Sequence, residues 1–222
     1  MMNEGVKFMT TPKEWHRETL GKKVVEALKK NHFAAEYLPD KEAVGQRILE
    51  LIPTGASVGI GGTVTIRDEL NIVDDLKKRG HKLFIHNLPH LSPEENAAIR
   101  RQQLTSDCFL ASTNALTLDG QLVNVDGVGN RVAAMIYGPQ KVIVVAGINK
   151  VVENVDSALK RIELWAAPMN NKRIGLPNPC TTTGVCMDCQ GTTRICNVTT
   201  IIRKKPSQTD MTVLVVGEEL GY

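Results

Sequence analysis

Aromatic residues are scarce in this sequence, at 4% of the chain. So few rings leave no stacking platform for single-stranded nucleic acid. The excess of positive charge is small as well. The chain carries 27 basic against 24 acidic residues, a formal net charge of +3, too little to drive binding to nucleic acid or to a membrane surface. No apolar run approaches the roughly 20 residues that a membrane-spanning helix needs. Met1 to Thr11 holds no hydrophobic segment, so a secretory signal is not expected. A reducing, cytoplasmic setting follows. There, the five cysteines are expected to be metal ligands or core residues rather than disulfides. Also missing are a G-x-S-x-G elbow, an H-E-x-x-H helix, a serine triad, internal repeats and low-complexity tracts.

What is present reads as one α/β domain. Across 222 residues, 42% are hydrophobic and 23% charged, ordinary values for a globular chain of this size. Thr11-Pro12-Lys13-Glu14 is a capping box with proline at the first helical position. It predicts a helix to about Tyr37 with a thin apolar stripe through Trp15, Val24 and Leu28. Asp40 caps a second helix through Val44, Ile48 and Leu51, stopped by Pro53-Thr54-Gly55. Strands are expected at Ala56 to Ile60, Lys82 to His86, Asp107 to Ser112, Lys141 to Ala146 and Met211 to Val216. Helices are expected through Ile66, Leu70, Val73 and Leu76, from the capping box at Ser92, and from about Asn154 through Val155, Leu159, Ile162 and Trp165. This alternation implies βαβ units and a mostly parallel sheet flanked by helices. Ala115 to Val125 reads as a hairpin turning at Asp119-Gly120. Residues 1–55 are expected to be a helical segment packed on the core. Residues 56–176 would be the core, and residues 177–222 a cysteine segment and final strand of the same domain.

Open parallel sheets bind ligands beyond the carboxyl ends of their strands, and three polar loops fall at such ends. Gly61-Gly62-Thr63 joins a strand to a helix, where glycines let backbone N–H groups approach an anion. It is neither a Walker A loop nor a complete dinucleotide fingerprint, and a plain tight turn stays open. Asp126-Gly127-Val128-Gly129-Asn130-Arg131 precedes an apolar helix. Asn130 is its expected cap, and Arg131 is either a bidentate partner for a carboxylate or phosphate or a tie for the loop. Asn149-Lys150 follows the strongest strand, and Lys150 offers a cation. Together these loops suggest a crevice for a small anionic metabolite. His81, His86 and His90 show no ligand spacing and are read as surface or core residues, and Cys108 as a core residue.

The other four cysteines, Cys180, Cys186, Cys189 and Cys196, are spaced C-x5-C-x2-C-x6-C in a stretch with almost no apolar residue. Such a stretch needs a crosslink, and four thiolates on one centre would supply it. Structural zinc usually takes two close pairs of thiolates, and only one C-x2-C pair exists here. The spacing is the reverse of the arrangement that carries a [4Fe–4S] cluster in DNA glycosylases. The pattern favours a [4Fe–4S] cluster, with zinc as the alternative.

Gly61-Gly62-Thr63-Val64-Thr65, Asn114 to Gly120, Asp126 to Ala133, Gly147-Ile148-Asn149-Lys150 and Pro179-Cys180 with its later cysteines occur in one order. In that order the chain resembles the lactate-utilization (LUD) domain family over about residues 12–222. The resemblance implies a fold like the ribose-5-phosphate isomerase, glucosamine-6-phosphate deaminase and CoA-transferase group. It also implies a part in oxidising a small 2-hydroxy acid such as lactate, beside an iron–sulfur or electron-transfer partner protein. The chain's own cysteine cluster sets it apart from the lactate-operon members. Two alternatives stay open. One is a non-redox sugar-phosphate isomerase or CoA-transferase-like enzyme with Asp126 or Asp119 as base and a structural metal. The other is a metabolite- or redox-sensing module. A homo-oligomer is compatible with either, and no catalytic residue is assigned.

Overall fold

The computed structural model describes residues 11–222. Helix α1 (Pro12–Lys30) starts as expected: the Thr11 hydroxyl accepts from the Glu14 amide at 3.2 Å, and Glu14 accepts from the Thr11 amide at 2.6 Å. It ends earlier than the sequence pattern predicts. Asn31 caps it and anchors on the carbonyls of Asp119 (2.8 Å) and Gly120 (3.0 Å), and His32 turns the chain at φ 69°. Strand β1 (Ala34–Leu38) follows and pairs in parallel with β10 (Asp210–Val216). The N-terminal segment is therefore not wholly helical, because a long-range ladder outcompetes the local helix pattern. Helix α2 (Lys41–Leu51) begins at its Asp40 cap.

The expected helix through Ile66 and Leu76 is broken. After β2 (Val58–Ile60) comes a single π-helical turn, Thr65–Glu69, and Asn71 at φ 51° separates it from α3 (Ile72–Lys78). Then follow β3 (Leu83–Ile85), α4 (Pro93–Gln103) from its Ser92 capping box, and β4 (Cys108–Ser112). The predicted hairpin forms as β5 (Ala115–Thr117) and β6 (Leu122–Asp126). Next are α5 (Asn130–Ile136), β7 (Lys141–Gly147) and the short β8 (Val151–Val152). Helix α6 (Val155–Arg161) passes through a π-helical turn, Ile162–Ala166, into α7 (Ala167–Ile174). Trp165, expected on an apolar face, is 51% exposed, and Trp15 is 60% exposed. A short α8 (Cys180–Thr183), β9 (Val198–Ile202) and β10 complete the chain. Strands β8 and β9 were not expected, although Val198–Ile202 is a wholly β-branched run.

The main sheet is parallel throughout, in the order β1-β10-β7-β4-β2-β3. Its alternating side chains feed two cores. Val142 and Val144 face α1 and α5, while Ile143 and Val145 face α2 and α3. Cys108 is buried in the second core, as expected. A smaller sheet, β8-β5-β6-β9, covers one end and packs on α6 through Ala115, Val123 and Ala158. The chain runs outward from β2 to β3 and returns to β4 on the other side of β2. That reversal opens a crevice at the carboxyl ends of β2 and β4.

Candidate functional site

A cavity of about 330 Å³ lies at this carboxyl edge. Loops after five strands reach it: Gly62 to Thr65 after β2, His86 and Asn87 after β3, Thr113 and Asn114 after β4, Lys150 after β7, and Gly221 and Tyr222 after β10. Asp126, Asn130 and Arg131 close a further side, and Arg100 and Arg173 add charge. Of the residues read from sequence as the crevice, Gly62, Thr63, Asp126, Asn130, Arg131 and Lys150 line it. Gly61 and Asn149 stand behind it. The Gly61 amide donates to Leu110 O at 3.0 Å, within the sheet's own bonding. The Asn149 side chain ties down the C-terminal tail, accepting from the Leu220 amide at 3.1 Å and donating to Gly221 O at 3.2 Å. Asn130 is not the cap of α5. Gly129 holds that position at φ 87°, with no side-chain bond.

Arg131 ties the loop together. Its Nε and Nη2 donate to Asp126 Oδ1 at 2.9 and 2.6 Å. Nη1 donates to Ser112 O (2.8 Å) and Asn124 Oδ1 (2.6 Å), and Nη2 also reaches Asn114 Oδ1 (2.9 Å). All its donors are engaged, so it positions the β4 and β6 ends rather than offering a free fork to a ligand. Asp126 is equally committed, since its other oxygen accepts from the Val132 amide at 3.1 Å. Asp119, the other candidate base, sits on the hairpin turn bonded to Thr117 and Gln121, away from the cavity.

Lys150 differs. It is 4% exposed and has no carboxylate partner among the described residues. Its ammonium nitrogen meets only the hydroxyls of Ser112 (2.7 Å) and Thr65 (3.3 Å). Burial, then the positive charges of Arg161 and Arg131, push its amine down to about 7 against a weaker pull from Glu69. Arg161 is buried too, donating to Asn149 O (3.0 Å) and Asn114 O (2.7 Å).

The sequence pattern missed His86 and Arg100. His86 is buried, and Gln103 Nε2 lies 2.9 Å from its Nδ1. That amide is oriented by the carbonyls of Ile60 (2.8 Å) and Phe84 (2.9 Å). The amide carries two hydrogens for these three neighbours, and the other ring nitrogen, Nε2, lies beside Gly62. Burial, with Arg100 and Arg67, pushes His86 down to about 4, so it is neutral in physiological conditions. Arg100 donates to Asn87 Oδ1 at 2.9 Å, while its buried Nε has no partner among the described residues. No sequence spacing links either residue to the loops. Only the parallel order of β2, β3 and β4 brings them there.

The cysteine segment forms another wall, with Ile195 and Cys196 lining the cavity. Polar bonds as well as covalent ligation can hold it. Asn178 donates to Asn171 Oδ1 (2.6 Å) and Thr193 O (2.9 Å), and Arg194 donates to Cys189 O (2.7 Å), Cys196 O (3.1 Å) and Asp188 (2.6 Å). Burial, then neighbouring thiols, raise Cys196 to about 11. Cys180 is raised by burial and by Cys189 and Cys186. The four thiols thus lie within one another's fields. Among the described residues, no three His, Cys, Asp or Glu side chains are set to hold a single ion. No described helix is long and apolar enough to cross a membrane.

Residues 21–216 match the family described as the LUD domain. The chain belongs to the LUD domain family. No curated protein matches it. Among solved structures, this LUD domain is similar to a DUF162 family protein from Deinococcus radiodurans. The two share 11% identity over 90% of this chain and 97% of the other, with a TM-score of 0.48. It is also similar to ribose 5-phosphate isomerase from Plasmodium falciparum, at 17% identity over 51% and 52% of the two chains and a TM-score of 0.32. A third similar structure is eIF2B delta from Chaetomium thermophilum, at 17% identity over 64% and 52% and a TM-score of 0.31. In this LUD domain the cavity carries Arg100, Arg131, Arg173 and Lys150 against one carboxylate, Asp126, which Arg131 already neutralises. That balance suits a small anion.

Proposed function

We propose that this LUD domain binds a small 2-hydroxy acid such as lactate in the cavity and takes part in its oxidation, with an iron–sulfur cluster on Cys180, Cys186, Cys189 and Cys196. The observation that carries this reading is that Cys196 lines the same cavity as Lys150, His86 and Arg100. A cluster on these thiolates would supply one-electron redox chemistry at the cavity wall. Arg100 and Arg173 hold the carboxylate, and His86 Nε2–H donates to it or to the adjacent oxygen. Ser112, Thr65 and Lys150 form the polar floor. Oxidation of a hydroxy acid releases two electrons, so the reading includes an electron-transfer partner protein.

The test is anaerobic purification followed by iron, sulfide and zinc assays and visible spectra. About four iron and four sulfide per chain, with a broad visible band that bleaches with dithionite, are expected. Partial bleaching by lactate but not by ribose 5-phosphate would tie the cluster to the cavity. One zinc per chain and no visible band would overturn the redox reading. It would favour a non-redox, phosphate-binding enzyme with a structural metal.

A further inference from the structure

Among the described residues, Lys150 is a buried cation without a counter-ion, a costly arrangement that proteins seldom keep without a use. Its amine reaches the cavity from the turn after β7, the central strand, and rests on two hydroxyls, Ser112 Oγ and Thr65 Oγ1. A hydroxyl accepts from an ammonium and donates to a neutral amine, so this seat serves both forms. The tail closes over it: a methyl on Gly221 would stand 2.6 Å from Thr65 Oγ1 and 3.1 Å from Lys150 Nζ. A second observation also points to a ligand. The buried Nε of Arg100, on the same cavity, has no partner among the described residues.

We propose that Lys150 is the cavity's amine nucleophile and that it condenses with the carbonyl carbon of a small 2-oxo acid whose carboxylate rests on Arg100. The choice of a 2-oxo acid rests on the reading above, since that is the oxidised form of a 2-hydroxy acid. The condensation itself needs no cluster. The amine lone pair attacks the carbonyl carbon, and a C–N bond forms. The carbonyl oxygen leaves as water with the two amine protons, relayed by Ser112 and Thr65, and an imine remains. No electrons are gained or lost. Nucleophilic lysines are activated by desolvation and by neighbouring cations, and both act here through Arg161 and Arg131. The other charged or titratable groups around the amine leave it free. Glu69 accepts from the Gly221 amide at 2.7 Å, Asp126 is paired with Arg131, and His86 is neutral, while Tyr222 faces the cavity as a phenol.

The experiment incubates the purified protein with pyruvate or glyoxylate and sodium cyanoborohydride, then reads intact mass and a peptide map. The expected result is one stable adduct per chain on Lys150. Its rate should rise with pH to half-maximum near 7, where the buried amine loses its proton. Lys150→Met and Lys150→Arg should give no adduct at this site, and circular dichroism would report that both variants fold. Arg100→Met should weaken pyruvate saturation by about tenfold, the loss of roughly 1.4 kcal/mol of binding. No adduct at all would overturn the proposal. So would scattered adducts on surface lysines that persist unchanged in Lys150→Met. Iron content and dithionite bleaching are read separately, so failure of the redox reading leaves this result standing, and the reverse holds.

Discussion

At the scale of single residues, burial and two guanidiniums hold the Lys150 amine near 7 instead of its ordinary 10.5. The unfolded chain keeps that proton up to about pH 10.5, while the folded chain releases it near 7. Folding therefore expels a proton across that window, and this group's contribution to stability rises with pH between the two values. Lys150→Met removes the penalty. The variant should be more stable than the parent by a few kcal/mol at and below neutral pH, because each pH unit between the folded and unfolded titrations is worth about 1.4 kcal/mol. The advantage should shrink steadily toward pH 10. Urea unfolding of both proteins at four or five pH values checks this, and a constant difference would count against a displaced titration. His86, held near 4, contributes nothing across that range. The sequence marked Lys150 as a cation for the crevice. Its near-neutral titration depends first on burial in the folded crevice, then on Arg161 and Arg131, which fold in from α6 and α5.

At the scale of elements, the cysteine segment and the Asp126 loop meet through a close backbone contact. A methyl on Gly127 would lie 3.2 Å from Ile195 Cα, and the Asn197 amide donates to Asp126 O at 3.0 Å. Gly127→Ala should shift the segment against the loop by a few tenths of an ångström while leaving the sheet intact. On the proposed cluster and 2-oxo acid site, iron occupancy per chain should fall and pyruvate saturation should weaken, with less than about 1 kcal/mol lost from global stability, since no core side chain is touched. Metal assay and denaturant unfolding on the same sample check both parts. The starts of α1 and α4 were readable because a capping box is a local device whose four residues hold one another. The strands β1, β8 and β9 were not. Each is a half-exposed edge strand, held from one side by β10, β5 or β6, and lacks the continuous apolar run that marks β7.

At the scale of the whole molecule, the cysteine segment is peripheral to what holds the fold. The two main cores contain none of its four cysteines, and only Cys196 packs against the small third core. Replacing all four by serine should leave the far-ultraviolet spectrum and the cooperative unfolding of the parallel sheet close to the parent's. Limited proteolysis should cut within residues 184–194 much faster. Resistance equal to that of the parent protein would mean that the Asn178 and Arg194 bonds alone hold the segment. The α/β class, the alternation, the hairpin and the chemistry of the loops were determined by the sequence itself, because hydrophobic period and turn residues act over a few positions. Only the tertiary structure decided which residues share the cavity. Strand order reverses at β2, and this reversal brings His86 and Arg100 to the cavity that Lys150 lines, while the pairing of β9 with β6 sets Cys196 in its wall. Those juxtapositions join positions far apart in the chain, and no local pattern encodes the loop closures that create them.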